Sequence, residues 1–152
     1  MNVQIIEFDA RYAREIRALA RAAMESAGIL PKTIDLYLED DFDYETIGEK
    51  YQGRSQFWLA LSGRKVVGTI AMAEVDKTIV RLRRMFVLPD FQGESIGQQL
   101  FDVALKFAQD KKYKKIILDT DKRMHNAQLF YEKNGFLKVK NVGDRFFYER
   151  MV

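Results

Sequence analysis

A loop of small residues, between a predicted strand and a predicted helix, has the sequence best suited to bind an anion. The apolar run at 85–88 meets Pro89, and the segment 92–97 (QGESIG) then opens an amphipathic helix. Backbone N–H groups at a helix N-terminus, together with the helix dipole, favour a phosphate or pyrophosphate. Gly93, Ser95 and Gly97 would let such a group approach the main chain closely. The segment has neither a Walker lysine nor a dinucleotide fingerprint, so an ordinary strand-to-helix connection is the alternative.

A second segment with chemical potential lies further along the chain, at 126–136 (NAQLFYEKNGF). Asn126 begins a predicted short helix, and Tyr131 lies in its middle. A tyrosine is a weak acid with a pKa of about 10, so it can protonate a leaving group in roughly that range. The alternative for Tyr131 is an aromatic side chain that simply packs on the sheet.

The composition of the 152 residues excludes several other chemistries. There is no cysteine, which excludes disulfides, thiolate nucleophiles and zinc sites built on sulfur. The single histidine, His125, excludes an all-histidine metal site within one chain, and no metal site is predicted. A hydrophobic fraction of 47% with 31% charged residues indicates a globular chain rather than a disordered one. The net charge of +3 permits binding of polyphosphate or nucleic acid without requiring it.

The elements that must position these segments follow the order βα(α)βββαβαββ. Asp9 is the expected N-cap of the first helix, Gly28 follows its end, and Gly68 marks a bulge or a close approach. An antiparallel meander followed by a strand–helix–strand unit predicts a mixed sheet. Strands are predicted at 3–8, 56–61, 65–75, 78–87, 115–119, 136–139 and 145–151, and helices at 10–27, 43–51, 95–110 and 126–134.

The two segments resemble the coenzyme A loop and a downstream helix motif of the GNAT N-acyltransferase superfamily. The first has a strand ending in V-x-P (Val87, Pro89) before its Q-G-x-x-x-G loop, and the second has Asn126-Ala127 followed by FYEKNGF. They occur in the family's order, with the strand 115–119 between them. The resemblance implies a single-domain GNAT-like α/β fold over residues 1–152. Its sheet would be mixed, mostly antiparallel and twisted, with a central parallel strand pair and flanking helices.

The same resemblance implies acetyl-CoA as co-substrate and direct transfer of the acetyl group to a primary amine of a small molecule or peptide. The two parallel strands would splay apart to admit the pantetheine arm. Asn126 would hydrogen-bond that arm, and Tyr131 would protonate the departing thiolate. The other residues implied in cofactor binding are Met85, Phe86 and Val87 through their main chain to the arm, and Gln92, Gly93, Ser95, Ile96, Gly97 and Gln98 through their N–H groups to the pyrophosphate.

The sequence departs from the family pattern at two positions that concern activity. Ser95 replaces the first glycine of the family's G-x-G. Arg81 occupies the strand position at which many members carry a glutamate that acts as general base. An amine must lose a proton to attack a thioester, so another acceptor is needed. Glu74 is the expected base, and Asp76, Asp119 and a water chain to bulk solvent are the alternatives.

The acceptor side of the site is less defined in the sequence. The segment 35–49 is acidic and has no lysine or arginine, so it would concentrate a cationic amine, or else it is a solvated loop. Tyr37, Phe42, Tyr44 and Trp58 either line an acceptor pocket or belong to the core.

Two other functions fit parts of the sequence. One is an acyl-CoA-binding sensor without turnover, which the missing strand glutamate favours. The other is a nucleic-acid binder that uses Arg14, Arg17 and Arg21, but basic and aromatic residues are not interleaved there. No signal peptide and no apolar run of ~20 residues is seen, so a cytoplasmic location without a membrane partner is expected. The resemblance is compatible with a homodimer.

Overall fold

The computed structural model describes residues 2–39 and 44–152, and its strands form one seven-stranded sheet in the order β1-β2-β3-β4-β5-β7-β6. Every neighbouring pair is antiparallel except β4 and β5, so the predicted mixed sheet with a central parallel pair is confirmed. The elements are β1 (Gln4–Glu7), α1 (Ala13–Ser26), α2 (Pro31–Glu39), α3 (Tyr44–Lys50), β2 (Gln56–Ser62), β3 (Lys65–Glu74), β4 (Ile79–Val87), α4 (Ile96–Asp110), β5 (Lys115–Asp121), α5 (His125–Lys133), β6 (Leu137–Val142) and β7 (Arg145–Met151).

Helices cover both faces of the sheet and enclose two hydrophobic cores. Side chains of a strand alternate between faces, and β2 shows this directly. Phe57 and Leu59 pack with α1, α2 and α3, whereas Trp58 and Ala60 pack with α4. The strands β2 and β3 are therefore buried on both faces over most of their length.

The N-terminal helical region differs from its prediction. Asp9 is an N-cap, and its carboxylate accepts the Arg11 backbone N–H at 3.0 Å. It caps a short 3₁₀ turn at Ala10–Tyr12, and α1 begins only at Ala13. The helix α2, which begins at Pro31, was not predicted. Proline fits the first turn of a new helix, where its missing N–H is not needed.

The centre of the sheet contains two irregularities next to each other. At Gly68 a Cβ atom would lie 2.9 Å from Leu100 Cδ1 and 3.3 Å from the Phe86 oxygen, so this glycine is a point of close approach, as predicted. Opposite it, β4 has a bulge, since Thr69 pairs with Phe86 but Ala71 pairs with Arg83. Three residue steps along β4, from Arg83 to Phe86, thus correspond to two steps along β3, from Thr69 to Ala71. The side chains of β4 therefore change faces of the sheet at this point.

Among the helices of residues 2–39 and 44–152, none combines the length and the apolar character that crossing a membrane requires.

Candidate active site

A cleft opens where the two parallel strands separate. β4 and β5 are paired only from Ile79 to Arg81 and from Lys115 to Ile117, although both strands continue beyond these residues. A cavity of about 830 Å³ lies at the end of β4, between the loop before α4 and the start of α5. Its size suits a ligand larger than a typical metabolite.

All ten residues predicted to bind the cofactor line this cleft. They come from three elements that are distant in sequence, so the fold brings together what the sequence suggested only as two separate motifs. The residues are Met85, Phe86 and Val87 from β4, Gln92, Gly93, Ser95, Ile96, Gly97 and Gln98 from the loop and α4, and Asn126 from α5.

The N-terminus of α4 presents main-chain donors to the cleft. The first intrahelical bond runs from the Gln99 N–H to the Ser95 oxygen at 3.0 Å, so the amides of the first turn have no carbonyl partner within the helix. Gly93 and Ser95 have φ of 82° and 65°, a left-handed conformation that turns the loop into the helix. A Cβ atom at Gly97 would lie 3.4 Å from Met85 Cε, so this glycine keeps α4 close to β4. These features suit an anion held by backbone amides.

Two amide side chains span the mouth of the cleft. Asn126 Nδ2 lies 3.4 Å from Gln92 Oε1, and Gln92 Nε2 donates to the Val87 oxygen at 3.3 Å. Both bonds are long and exposed. A ligand that enters between the strands could therefore replace them with little loss.

Tyr131 lies at the inner end of the cleft and is 5% exposed. Its ring contacts those of Phe130, Phe136 and Tyr148 at centroid distances of 5.7 to 6.0 Å. The residue is thus part of the core and also lines the cavity. Burial raises the pKa of Tyr131 strongly, with the nearby Arg145 charge opposing the rise, so the phenol stays protonated at neutral pH.

A smaller cavity of about 350 Å³ lies on the other side of Tyr131. The two cavities share a wall made of Met85, Phe86, Met124, Ala127 and Tyr131. Residues of α1, α2, β4, β5 and β7, together with Ile29 between α1 and α2, form the remainder of the smaller one.

Ion pairs organise the polar side of the smaller cavity. Asp119 accepts from Arg145 Nε at 2.6 Å and from Arg81 Nη1 at 3.3 Å. Asp121 accepts from Arg123 Nη2 at 2.7 Å and from the Tyr37 hydroxyl at 3.0 Å. Burial alone would raise the pKa of Asp121, but the bonds from Arg123 and Tyr37 together lower it to about 2. Asp121 is therefore ionised at neutral pH, and both carboxylates are already engaged by guanidinium groups.

The expectation that Glu74 is the general base does not fit the structure. Glu74 pairs with Val80 at the beginning of β4, a strand length away from the cleft at Val87. Its carboxylate accepts from Arg54 Nε at 2.7 Å, and it lines neither cavity. Asp76 is also remote, because it caps the turn between β3 and β4 by accepting the N–H groups of Thr78 and Ile79. Of the three carboxylates considered, only Asp119 lies at the site.

Of the residues expected either to line the acceptor pocket or to belong to the core, the structure shows one of each kind. Tyr37 lines the smaller cavity. Trp58 is a core residue, 5% exposed and edge-on to Phe107. Phe42 and the side chain of Tyr44 lie outside the described residues.

The acidic segment 35–49 contributes little to either cavity in the described part of the chain. Asp35 pairs with Arg21 at 2.7 Å on the surface, and neither Asp35, Glu39 nor Glu49 lines a cavity. The charged residues that line the smaller cavity are instead Arg83, Arg84 and Arg145 with Asp119 and Asp121. These arginines were not predicted, since Arg83 and Arg84 in β4 are distant in sequence from Arg145 in β7, and no motif connects them.

Comparison with known proteins gives consistent results. A sequence model described as "Acetyltransferase (GNAT) domain" matches residues 53–138. The chain is 31% identical to human N-acetyltransferase 8B over 120 residues, which are 76% of this chain and 52% of that protein. It is 36% identical to N-acetylaspartate synthetase of Xenopus tropicalis over 105 residues, covering 68% and 37% of the two chains. The chain thus spans about half or less of the length of these relatives.

Solved structures share the fold over the whole chain. An acetyltransferase of the GNAT family from Staphylococcus aureus Mu50 superposes with a TM-score of 0.87 at 26% identity and covers 99% of both chains. The PaiA N-acetyltransferase of Thermoplasma acidophilum, solved in complex with coenzyme A, superposes with a TM-score of 0.87 at 20% identity over 100% of both chains. At that lower identity the second likeness concerns the fold alone.

Proposed function

Since the chain belongs to the GNAT acetyltransferase family, we propose that it transfers an acetyl group from acetyl-CoA directly to a primary amine of a small molecule or peptide. The observation that carries the proposal is the pair of cavities that meet at Tyr131. One is large enough for the cofactor and ends in main-chain donors, and the other is suited to a small acceptor. Two substrates bound at once on either side of this wall could react without a covalent enzyme intermediate.

The larger cavity has the features that a cofactor with a pyrophosphate needs. The first-turn amides of α4, from Ile96 to Gln98, would hold the pyrophosphate, aided by the helix dipole. The main chain at the end of β4 would pair with the pantetheine arm, and Asn126 would hydrogen-bond it. Bound acetyl-CoA supplies the thioester that the amine attacks.

Tyr131 is positioned to supply a proton to the departing sulfur. Tyr131 belongs to the wall shared by the two cavities, and its raised pKa keeps the phenol protonated. A proton donor must be protonated when the carbon–sulfur bond breaks. The phenol loses its proton to the sulfur in that step and recovers one from solvent afterwards.

No free carboxylate is available as a strong base among the described residues of the smaller cavity. Asp119 accepts a hydrogen bond from Arg145 and Asp121 accepts one from Arg123, and the pKa of Asp121 is lowered by its hydrogen bonds. We infer that the amine gives its proton to water, which would carry it out of the cavity to bulk solvent.

The test combines calorimetry with a turnover assay. Acetyl-CoA is titrated into the protein, with free CoA and ATP as controls, and thiol release is then followed in the presence of an amine panel. Micromolar binding that needs the pantetheine arm, followed by amine-dependent thiol release, supports the proposal. Binding without thiol release from any amine would instead identify an acyl-CoA sensor. Absence of binding would overturn both assignments.

A further inference from the structure

One polar side chain lies in the middle of the buried part of β3. Thr69 is completely buried, and the strand residues around it, from Val66 to Met72, are buried and apolar apart from Gly68. A hydroxyl group in such surroundings is destabilising unless it forms a hydrogen bond, and valine would fill the same volume without that penalty. The threonine therefore indicates that the hydroxyl itself has a role.

The Thr69 hydroxyl is bonded to the bulge of β4. Thr69 Oγ1 donates to the Arg84 carbonyl oxygen at 2.7 Å. Arg84 lies within the bulge, and its φ of 54° is in the left-handed region that residues with a Cβ atom avoid. A bulge interrupts the ladder of backbone hydrogen bonds, and here a side-chain hydroxyl of β3 supplies a bond to the interrupted segment.

Two opposing contributions decide whether the bulge forms. Among the residues that the structure describes, Arg84 is the only one other than glycine with a positive φ inside a strand. This strain disfavours the bulge, because a regular strand would relieve it. The hydrogen bond from Thr69 stabilises the bulged arrangement and so acts against the strain.

The bulge determines which way the cofactor-binding end of β4 faces. Val80 and Leu82 before the bulge, and Met85 and Val87 after it, all pack on the α4 side, so the alternation is displaced by one residue. In a regular strand Met85 would face the opposite side of the sheet, away from its neighbour Gly97 in α4. The bulge therefore directs Met85 and Val87 into the wall of the larger cavity.

We propose that Thr69 is a positioning residue for acetyl-CoA. Its hydroxyl holds the bulge, and the bulge directs the main chain at 85–87 towards the pantetheine arm. Thr69 lines neither cavity, so it acts through β4 and not by contact with the ligand. This inference rests on the proposed function, because acetyl-CoA is the co-substrate of that same reaction.

Two substitutions separate the hydroxyl from the volume of the side chain. Thr69→Val keeps the shape and removes the hydrogen bond, whereas Thr69→Ser keeps the hydrogen bond and removes a methyl group. Each variant and the wild type are titrated with acetyl-CoA by calorimetry. We expect Thr69→Val to bind about tenfold more weakly and Thr69→Ser to stay within about threefold of the wild type. If Thr69→Val does not fold, Thr69→Ala takes its place, with the same expected result.

A smaller ligand distinguishes positioning of the arm from a general loss of structure. ADP has the pyrophosphate of CoA but no pantetheine arm, and its affinity is measured by competition with acetyl-CoA. The affinity for ADP should be the same in Thr69→Val and the wild type, because the pyrophosphate is expected at the first-turn amides of α4 and not at β4.

Ser55→Ala is the matched control for loss of a buried hydroxyl. Ser55 is also buried, and its hydroxyl oxygen accepts the Glu74 N–H at 2.9 Å, at the end of β3 that is remote from the cleft. It lines neither cavity. Ser55→Ala should lower the melting temperature, as Thr69→Val does, but should leave the Kd for acetyl-CoA unchanged.

Three results would overturn the inference while leaving the acetyltransferase proposal in place. They are wild-type affinity for acetyl-CoA in Thr69→Val, equal losses in Thr69→Val and Thr69→Ser, and an affinity for ADP that falls as much as the affinity for acetyl-CoA. The same holds if Ser55→Ala weakens acetyl-CoA binding by the same factor as Thr69→Val. If the wild type does not bind acetyl-CoA at all, the proposed function fails first and the inference falls with it.

Discussion

At the scale of single residues, Tyr131 combines a structural and a chemical position. The ring is packed among three aromatic rings, and the residue also lines both cavities. Replacing the hydroxyl alone separates the two roles. Tyr131→Phe should lower kcat by about a hundredfold, a typical contribution of a general acid, and should leave acetyl-CoA affinity and the melting temperature nearly unchanged.

The matched control for that variant is Tyr113→Phe. Tyr113 is also a buried tyrosine, but its hydroxyl donates to the Arg54 oxygen and it lines neither cavity. Turnover and binding are measured for both variants across pH. If Tyr131→Phe retains the wild-type kcat and an unchanged pH profile, the tyrosine is only a packing residue.

Ser95 presents a different residue-scale question, because it occupies a conformation that favours glycine. Its φ is 65°, and its side chain makes no capping bond to α4. A non-glycine residue in this conformation is strained by about 1 kcal/mol. Replacement by glycine removes this strain, but the greater entropy of the unfolded chain offsets part of the gain in stability. Ser95→Gly should therefore raise the melting temperature by roughly 1–3 °C. Ser95→Ala keeps the strain and should give no gain, so a higher melting temperature for alanine than for glycine would contradict this account.

At the scale of elements, the distance between β3 and α4 depends on Gly68. A Cβ atom there would lie 2.9 Å from Leu100 Cδ1 and 3.2 Å from Ile96 Cγ2, and Ile96 begins the helix that lines the cleft. Gly68→Ala should destabilise the protein by about 1–3 kcal/mol, as overpacking of a core does, and should weaken acetyl-CoA binding by displacing the first turn of α4.

Gly48→Ala provides the control for that prediction. Gly48 lies within α3, and a Cβ atom there meets nothing closer than Phe8 Cε2 at 3.8 Å. Alanine is favoured over glycine in a helix, so this variant should be as stable as the wild type or more stable by about 0.5–1 kcal/mol. Both are measured by urea unfolding and calorimetry. Similar losses in the two variants would show that Gly68 is not a special contact.

Most elements could be predicted from the sequence because their hydrophobic patterns are strong. The buried runs of β2, β3 and β5 and the stripe of α4 are examples. α2 was missed because only Ile34 and Leu38 are buried in it, too few to establish a helical period. The remote position of Glu74 could have been foreseen, since in an antiparallel pair the end of β3 adjoins the start of β4 and not its end.

The candidate site was predictable only in part, for a physical reason. The cofactor cleft is built from short contiguous motifs, and these are visible in the sequence. The smaller cavity joins Tyr37, Asp121 and Arg145, whose contacts span 84 and 108 residues and depend on packing across the sheet. The lining of the smaller cavity also depends on the β4 bulge, which shifts the alternation of side chains between the two faces of the sheet. No residue type in that strand would predict the bulge.

At the scale of the whole molecule, one hydrogen-bond network connects the helix α2 to the paired strands β5 and β7. The Tyr37 hydroxyl of α2 donates to Asp121 at the end of β5 and accepts from Arg145 Nη1 of β7 at 3.1 Å. Arg145 in turn binds Asp119. The helix that covers the smaller cavity is thereby attached to the strands on the far side of the cleft.

Asp121 makes this attachment sensitive to acid. Its pKa is lowered to about 2 in the folded protein, compared with 3.8 for the ordinary group. A lowered pKa stabilises the folded state above the ordinary pKa, and the contribution is lost as the pH falls through the folded value. This difference in pKa contributes about 2 kcal/mol to the free energy of unfolding. The contribution is present in full above pH ~5 and is lost progressively towards pH 2. Asp121→Asn should thus be less stable than the wild type by at least that amount at neutral pH, and the gap should narrow below pH ~4.

The comparison requires urea unfolding of both proteins from pH 7 to pH 2.5. Asp35→Asn serves as the control, because Asp35 forms an exposed ion pair with Arg21, of a kind that contributes little to stability. We expect Asp35→Asn to remain close to the wild type throughout the range. A gap for Asp121→Asn that stays constant down to pH 2.5 would mean that the charge of Asp121 is not what attaches α2 to the sheet. The expected result is that the difference in unfolding free energy between Asp121→Asn and the wild type narrows as the pH falls. If acceptor binding is then lost before acetyl-CoA binding, the smaller cavity is the least acid-stable part of the molecule.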